Sequence, residues 1–131
     1  MQTPKSSPNE QSSREMNQIQ FSENTHQNVS STLNDTILWT ALITPLLDGG
    51  EIDFSSLEKL AIKQSDANNG IVLLGSTGEG LALTSQEQLS VVEFVCQLSL
   101  KAPLMVAVGG YHLSEQINWV NTCNKYPISA Y

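Results

Sequence analysis

The residues best suited to chemistry in this sequence stand together as Gly75-Ser76-Thr77-Gly78-Glu79-Gly80. Ser76 and Thr77 supply hydroxyl and amide donors, and flanking glycines let a backbone turn tightly and approach a ligand. A turn of this kind suits a carboxylate or phosphate oxygen, with Ser76 and Thr77 as donors and Gly75 and Gly78 as the flexible points. Glu79 would repel an anion and is expected instead to brace the loop through backbone N–H groups. The composition fits an ordinary strand-to-helix connection equally well, because Gly, Ser and Thr also favour turns for purely conformational reasons.

Stepping outward, the loop follows Ile71-Val72-Leu73-Leu74, a continuous apolar run that predicts a buried strand. An earlier run, Ile37 to Ile43, predicts a strand buried on both faces and stopped by Thr44-Pro45. Asp53 then caps a helix, with Ile52 and Leu57 spaced as a hydrophobic staple and Leu57, Leu60, Ala61 and Gln64 on one face. Asn68-Asn69-Gly70 ends that helix, with Gly70 available for a left-handed cap. Thr84-Ser85-Gln86-Glu87 has capping-box spacing and opens a second helix to about Leu100, with Leu89, Val92, Val95, Cys96 and Leu98 inward. Leu104 to Val108 predicts a third strand. Ser114 would cap a third helix burying Ile117, Val120 and Cys123, and Ile128 to Tyr131 begins a fourth strand.

Short apolar strands alternating with helices imply a parallel sheet with helical crossovers. Either an open doubly wound sheet or a closed barrel satisfies that order. A dinucleotide fingerprint is absent, since the loop glycines fall at the first, fourth and sixth places and three residues still separate them from the Thr84 cap. In both architectures functional groups collect at the carboxyl ends of strands, where Gly75 to Gly80 lies. A complete eight-fold barrel of about 250 residues exceeds the 131 present.

The remaining titratable residues attract plainer explanations. Lys59, Lys63, Lys101 and Lys125 fall within or at the ends of the helices, where charged side chains are solvated. Cys96 and Cys123 lie in apolar helical patterns away from any metal-like spacing, as expected of buried reduced thiols. Trp39 and Trp119 suit packing, while His112 reads as a surface loop residue and no metal constellation is present. The net charge of −7, with six scattered basic residues, argues against a nucleic-acid surface. No apolar run approaches the roughly 20 residues of a membrane span. Residues 1–35 are mostly Gln, Ser, Asn, Thr and charged groups, with neither a secretory apolar stretch nor an acid-poor transit pattern, and are expected to be a disordered polar tail.

Leu74-Gly75-Ser76-Thr77-Gly78-Glu79-Gly80 resembles the G-[ST]-T-G-E motif that follows the second strand in the dihydrodipicolinate synthase and N-acetylneuraminate lyase family. Ala41-Leu42-Ile43-Thr44-Pro45 resembles the family's first-strand ending, Ile52-Asp53-Phe54 its first helix start, and Pro103 to Gly109 its third strand. The resemblance runs from Thr36 to Tyr131. It implies an α/β fold forming the N-terminal portion, about three and a half βα units, of a TIM (β/α)8 barrel over residues 36–131, after the polar tail.

By the same resemblance, Thr77 is the threonine that binds the pyruvate carboxylate and Ser76 the neighbouring hydroxyl that relays protons. The family needs no cofactor. It forms a Schiff base between pyruvate and a sixth-strand lysine, expected to lie beyond Tyr131, and condenses the enamine with a small aldehyde. The implied role is synthase-like condensation of pyruvate with aspartate semialdehyde, in lysine and diaminopimelate biosynthesis, by a cytoplasmic homo-oligomer that is tetrameric when intact. This fragment is expected to be inactive without the lysine. The alternatives are an N-acetylneuraminate lyase-like or other pyruvate aldolase, and a non-catalytic half-barrel binding module. Gly80 departs from the serine common in synthases. Glu115 resembles an acidic residue of a lysine-inhibitor site, whereas Ser85 and Gln88 replace histidines often found there.

Overall fold

The computed structural model describes residues 38–131. The polar tail 1–35 and Ile37 of the first expected strand lie outside the described residues. Three short strands, β1 (Trp39–Ala41), β2 (Gly70–Leu73) and β3 (Leu104–Val106), form a parallel sheet in the order β1-β2-β3. Helices α1 (Phe54–Asp66), α2 (Ser85–Gln97) and α3 (Leu113–Cys123) alternate with them. The register pairs Thr40 with Ile71 and Ala41 with Val72, then Ile71 with Leu104 and Val72 with Met105.

That register decides which face is core. Ile71, Leu73, Leu104 and Val106 share one face and are buried with Leu57 and Ala61 of α1, Val91, Val92 and Val95 of α2, and Cys123 of α3. Ala41, Val72 and Met105 share the other face; Ala41 is exposed and the other two are half-buried. The expectation of a first strand buried on both faces is therefore corrected. Among the described residues helices cover one face only, and Leu38 and Ile43, flanking β1, are 58% and 52% exposed. A barrel would enclose that second face; the three strands of the described residues do not.

Local signals explain most helix starts. Asp53 caps α1 by accepting from the Ser56 amide at 3.0 Å, and its carboxylate also takes the Ser56 hydroxyl at 2.6 Å. The Ser56 hydroxyl, then its amide, hold the Asp53 carboxyl below its ordinary 3.8. At α2 the capping box is complete, with Thr84 Oγ1 accepting from the Glu87 amide while the Glu87 carboxylate accepts from the Thr84 amide at 2.8 Å. The α2 helix ends earlier than expected, at Gln97, because Ser99 takes a left-handed φ of 51°.

The Thr84 hydroxyl and amide, in that order, lower the Glu87 carboxyl below its ordinary 4.5. A folded value below the unfolded one means that the cap's contribution is complete above the unfolded value, and is lost as pH falls through the folded one. The Thr84 amide resonance is therefore expected to titrate below pH 4.5 in the native chain and to stay flat in Glu87→Gln. An unchanged titration in that variant would assign the shift to another group.

Two expectations fail where distant contacts intervene. Gly70 does not supply the left-handed cap: Asn68 does, with φ 58°, while Gly70 opens β2. A Cβ at Gly70 would lie 2.5 Å from the Trp39 indole, so the glycine there makes room for a neighbouring strand's tryptophan. The α3 helix starts one residue before Ser114, after His112, which makes no side-chain capping bond. Of its expected inward residues, Cys123 is buried and Val120 half-buried, whereas Ile117 is 51% exposed. Trp119 instead anchors α3, donating its Nε1–H to the Ala107 carbonyl at 3.2 Å. After α3, Ser129 and Ala130 reach β3, and Ala130 makes a single parallel bridge to Met105, so the fourth strand exists here only as its first contact.

Cys96 and Cys123 are free thiols. Burial, with a smaller contribution from Cys96, pushes the Cys123 thiol up to about 11 from its ordinary 9.0. Two pH units correspond to an about 100-fold smaller thiolate fraction, and the thiolate is the reactive form. Cys123 should thus react with a disulfide reagent about 100-fold more slowly in the native chain than in urea. Equal rates would show that the sulfur is accessible.

Candidate carboxylate-binding loop

The loop begins with an unusual backbone. Leu74, the residue after β2, has φ 61°, a left-handed conformation that costs a non-glycine residue about 1–2 kcal/mol. It turns the chain off the sheet. From there Gly75 to Gly80 closes on itself by two bonds: the Gly80 amide to the Gly75 carbonyl at 3.2 Å, and the Glu79 amide to the Ser76 carbonyl at 3.1 Å. Six-to-one and five-to-two bonds with a left-handed residue at the fifth place are the Schellman closure of a helix C-terminus, here standing on a single turn. Glu79 occupies the left-handed place at φ 51°, and a 3-10 turn, Gly80–Ala82, continues the chain toward Thr84.

The glycines do a different job from the one expected. Neither Gly75 nor Gly78 has a positive φ; the left-handed positions fall on Leu74 and Glu79. Gly78 is required for space, since a Cβ would lie 2.8 Å from the Leu42 carbonyl oxygen and 3.2 Å from the Leu74 nitrogen. Gly80 is required more strictly, because its Cβ would overlap the Leu74 carbonyl oxygen. The loop is thus pressed down on the strand ends.

The brace is also different. Glu79 is exposed and its side chain makes no capping bond, so the expected bracing role of its carboxylate is corrected. The groups that need partners are carbonyls, to which a carboxylate has no proton to donate. Thr44 donates its hydroxyl to the Gly78 carbonyl at 2.8 Å in a buried bond, and Gln88 donates to the Gly80 carbonyl at 2.7 Å and the Leu83 carbonyl at 3.2 Å. Sequence reasoning used Thr44 only as a strand stop; its signal was a hydroxyl at a strand's carboxyl end.

Ser76 and Thr77 are left at the crest of this turn, both exposed. Among the described residues, neither hydroxyl nor either amide has a hydrogen-bond acceptor. Four unspent donors at the carboxyl end of the central strand make a local positive site that an anion's oxygens can satisfy. A groove of about 460 Å³ lies nearby between α2 and α3, lined by Leu74, Gly80, Gln88, Gly109, Glu115 and Trp119. Ser76 and Thr77 do not line it. Lys59, Lys63, Lys101 and Lys125 are all exposed, and none stands at the carboxyl end of a strand, as expected. Among the described residues no group of His, Cys, Asp and Glu is placed to hold a metal, and no helix is long and apolar enough to cross a membrane.

A parallel βα sheet with a donor-rich loop after its second strand defines the class, a segment of an α/β fold with its candidate site at the strands' carboxyl ends. The chain belongs to the dihydrodipicolinate synthetase family, whose model matches residues 35–131. It is 49% identical over 94 residues to the 4-hydroxy-tetrahydrodipicolinate synthase of Chlamydia pneumoniae, covering 72% of this chain and 32% of that one. Its fold is similar to that of dihydrodipicolinate synthase from Aquifex aeolicus, with a TM-score of 0.67 and 26% identity over 71% of this chain and 32% of that one. It is similar also to the chloride-inhibited dihydrodipicolinate synthase from Acinetobacter baumannii complexed with pyruvate, with a TM-score of 0.64 and 27% identity over 67% of this chain and 31% of that one. The chain thus spans about a third of the length of the relatives it matches.

Proposed function

We propose that residues 36–131 form the carboxylate-binding part of a dihydrodipicolinate synthase-like lyase, and that the loop from Gly75 to Gly80 receives the pyruvate carboxylate. The observation that carries this is the pair Ser76-Thr77, exposed with unspent donors on a turn tied to the strand ends. Thr77, and Ser76 beside it, would bind the carboxylate, with Ser76 also relaying protons; Gly75 and Gly78 form the turn's backbone. Family membership, and the pyruvate complex of a 27% identical relative, support that ligand over phosphate.

The reaction read from the family is condensation of pyruvate with aspartate semialdehyde through a lysine Schiff base, in the cytoplasm, by a homo-oligomer that requires no cofactor. The loop's part in it is electrostatic and geometric. Fixed donors hold the carboxylate so that the adjacent ketone faces one direction, which replaces the entropy of a free encounter. The amine must come from elsewhere than the described lysines. A Schiff-base lysine acts as a neutral amine and so needs desolvation, whereas Lys59, Lys63, Lys101 and Lys125 are exposed.

Two measurements test this reading. Thr77→Val should weaken pyruvate binding about tenfold or more, the loss of a hydrogen bond to a charged group. Borohydride treatment with pyruvate should leave all four described lysines unlabelled. Unchanged affinity in Thr77→Val, or a labelled Lys59, Lys63, Lys101 or Lys125, contradicts it.

A further inference from the structure

We propose that Thr44 is a positioning residue for this loop: its buried hydroxyl, by holding the Gly78 carbonyl, sets the Ser76-Thr77 turn in the conformation that receives a carboxylate. The proposal rests on the reading of the loop as a carboxylate site and adds the residue that shapes it. Thr44 is three residues past the end of β1, 8% exposed, and 34 residues away from Gly78 in sequence. Its bond to the Gly78 carbonyl measures 2.8 Å.

Three features make this bond more than a satisfied core hydroxyl. First, Gly78 directly follows Thr77 and lies inside the two-bond closure from Gly75 to Gly80, so the orientation of its peptide is coupled to the turn's crest. Second, the closure uses the Gly75 and Ser76 carbonyls as acceptors but not that of Gly78. Thr44 is the donor that satisfies it. Third, Gly78 sits so close to the Leu42 carbonyl oxygen that a Cβ would approach to 2.8 Å, so the loop is seated against the same strand extension that carries Thr44. Gln88 holds the far end of the loop at Gly80, on the side of α2. One tie comes from the extension of β1 and the other from α2, and the donors at Ser76 and Thr77 directly precede the first of them within the closure.

Without the hydroxyl, the Gly78 carbonyl is left buried beside an apolar group and must rotate toward water to recover a partner. The Gly78 carbonyl shares its peptide plane with the Glu79 amide, so that rotation pulls the Glu79 amide off the Ser76 carbonyl and loosens the closure that spans Ser76 and Thr77, the Gly80 to Gly75 bond with it. Serine keeps the donor at the same position and should preserve the arrangement.

The test compares Thr44→Val and Thr44→Ser in the 131-residue chain. Without ligand, exchange of the Gly80 amide is read against that of Ala107, whose bond to Leu73 lies in the sheet. Thr44→Val should accelerate Gly80 exchange relative to Ala107 by about tenfold, with Thr44→Ser close to the native chain. Pyruvate affinity should fall by about tenfold in Thr44→Val and return in Thr44→Ser. Should Thr44→Val fail to fold, Thr44→Ala is compared with Thr44→Ser in the same two ways. Native loop protection and native affinity in a folded variant lacking the hydroxyl overturn the proposal, as does loss of both in Thr44→Ser. If the native chain binds no pyruvate, the carboxylate reading fails by itself, while the exchange ratio still decides whether Thr44 orders the turn.

Discussion

Replacing Gly80 by alanine is expected to destabilise the chain by about 3 kcal/mol, more than a surface substitution by several-fold. The added methyl would overlap the Leu74 carbonyl oxygen and lie 2.8 Å from its carbon. Both are backbone atoms, so no side-chain rotation relieves the overlap. Leu74 is itself in a left-handed conformation, which leaves little room for further rotation. Any shift must also disturb three bonds that Gly80 makes, to the Gly75 carbonyl through its amide and to the Gln88 side chain and the Leu83 amide through its carbonyl. Urea unfolding should show a lower midpoint with an unchanged slope. A native midpoint in Gly80→Ala would mean that the loop is not seated on Leu74 as described.

Leu57→Ala should cost a similar amount, about 3 kcal/mol, by a different cause. Leu57 is fully buried on α1, among the side chains that join the sheet's covered face to the helices. Truncation removes apolar surface from the core and leaves a cavity. The open second face of the sheet cannot compensate, because Leu57 lies on the other side. Ile62 on the same helix, 40% exposed, is the control, and Ile62→Ala should cost about 0.5 kcal/mol. With typical domain stabilities of about 5–15 kcal/mol, the first variant loses a large share of the total. Equal effects from the two substitutions would contradict the placement of the core.

The contrast between these residues also shows what the sequence made legible. The strands, the Asp53 cap and the Thr84–Glu87 box depend on apolar runs or on partners three residues away, and local spacing encodes both. Gly80 and Gly78 were recognisable as turn residues, but their requirement comes from Leu74 and Leu42, whose approach only the folded backbone creates. Gly70 was likewise assigned to a turn, although its partner is Trp39 on the next strand. Ile117 followed the helical period of α3 yet is half-exposed, because periodicity names a face without saying whether anything covers it.

At the site, residue types pointed to Ser76 and Thr77, and the folded turn adds why their donors are available. The Schellman closure spends the Glu79 and Gly80 amides within the loop and leaves those before them unspent among the described residues. Glu79 was misassigned because its carboxylate was the conspicuous group, whereas its backbone conformation is what closes the turn. Thr44 was passed over because a hydroxyl 34 residues from its partner leaves no local pattern.

The claim that this loop is a carboxylate site is tested most directly by titrating the 15N-labelled chain with pyruvate and following every backbone amide. Saturable shifts concentrated at Ser76, Thr77 and Gly78, and lost in Thr77→Val, are the expected result. Shifts confined to the groove residues Gln88, Glu115 and Trp119, or no saturable shift at the loop, would contradict it.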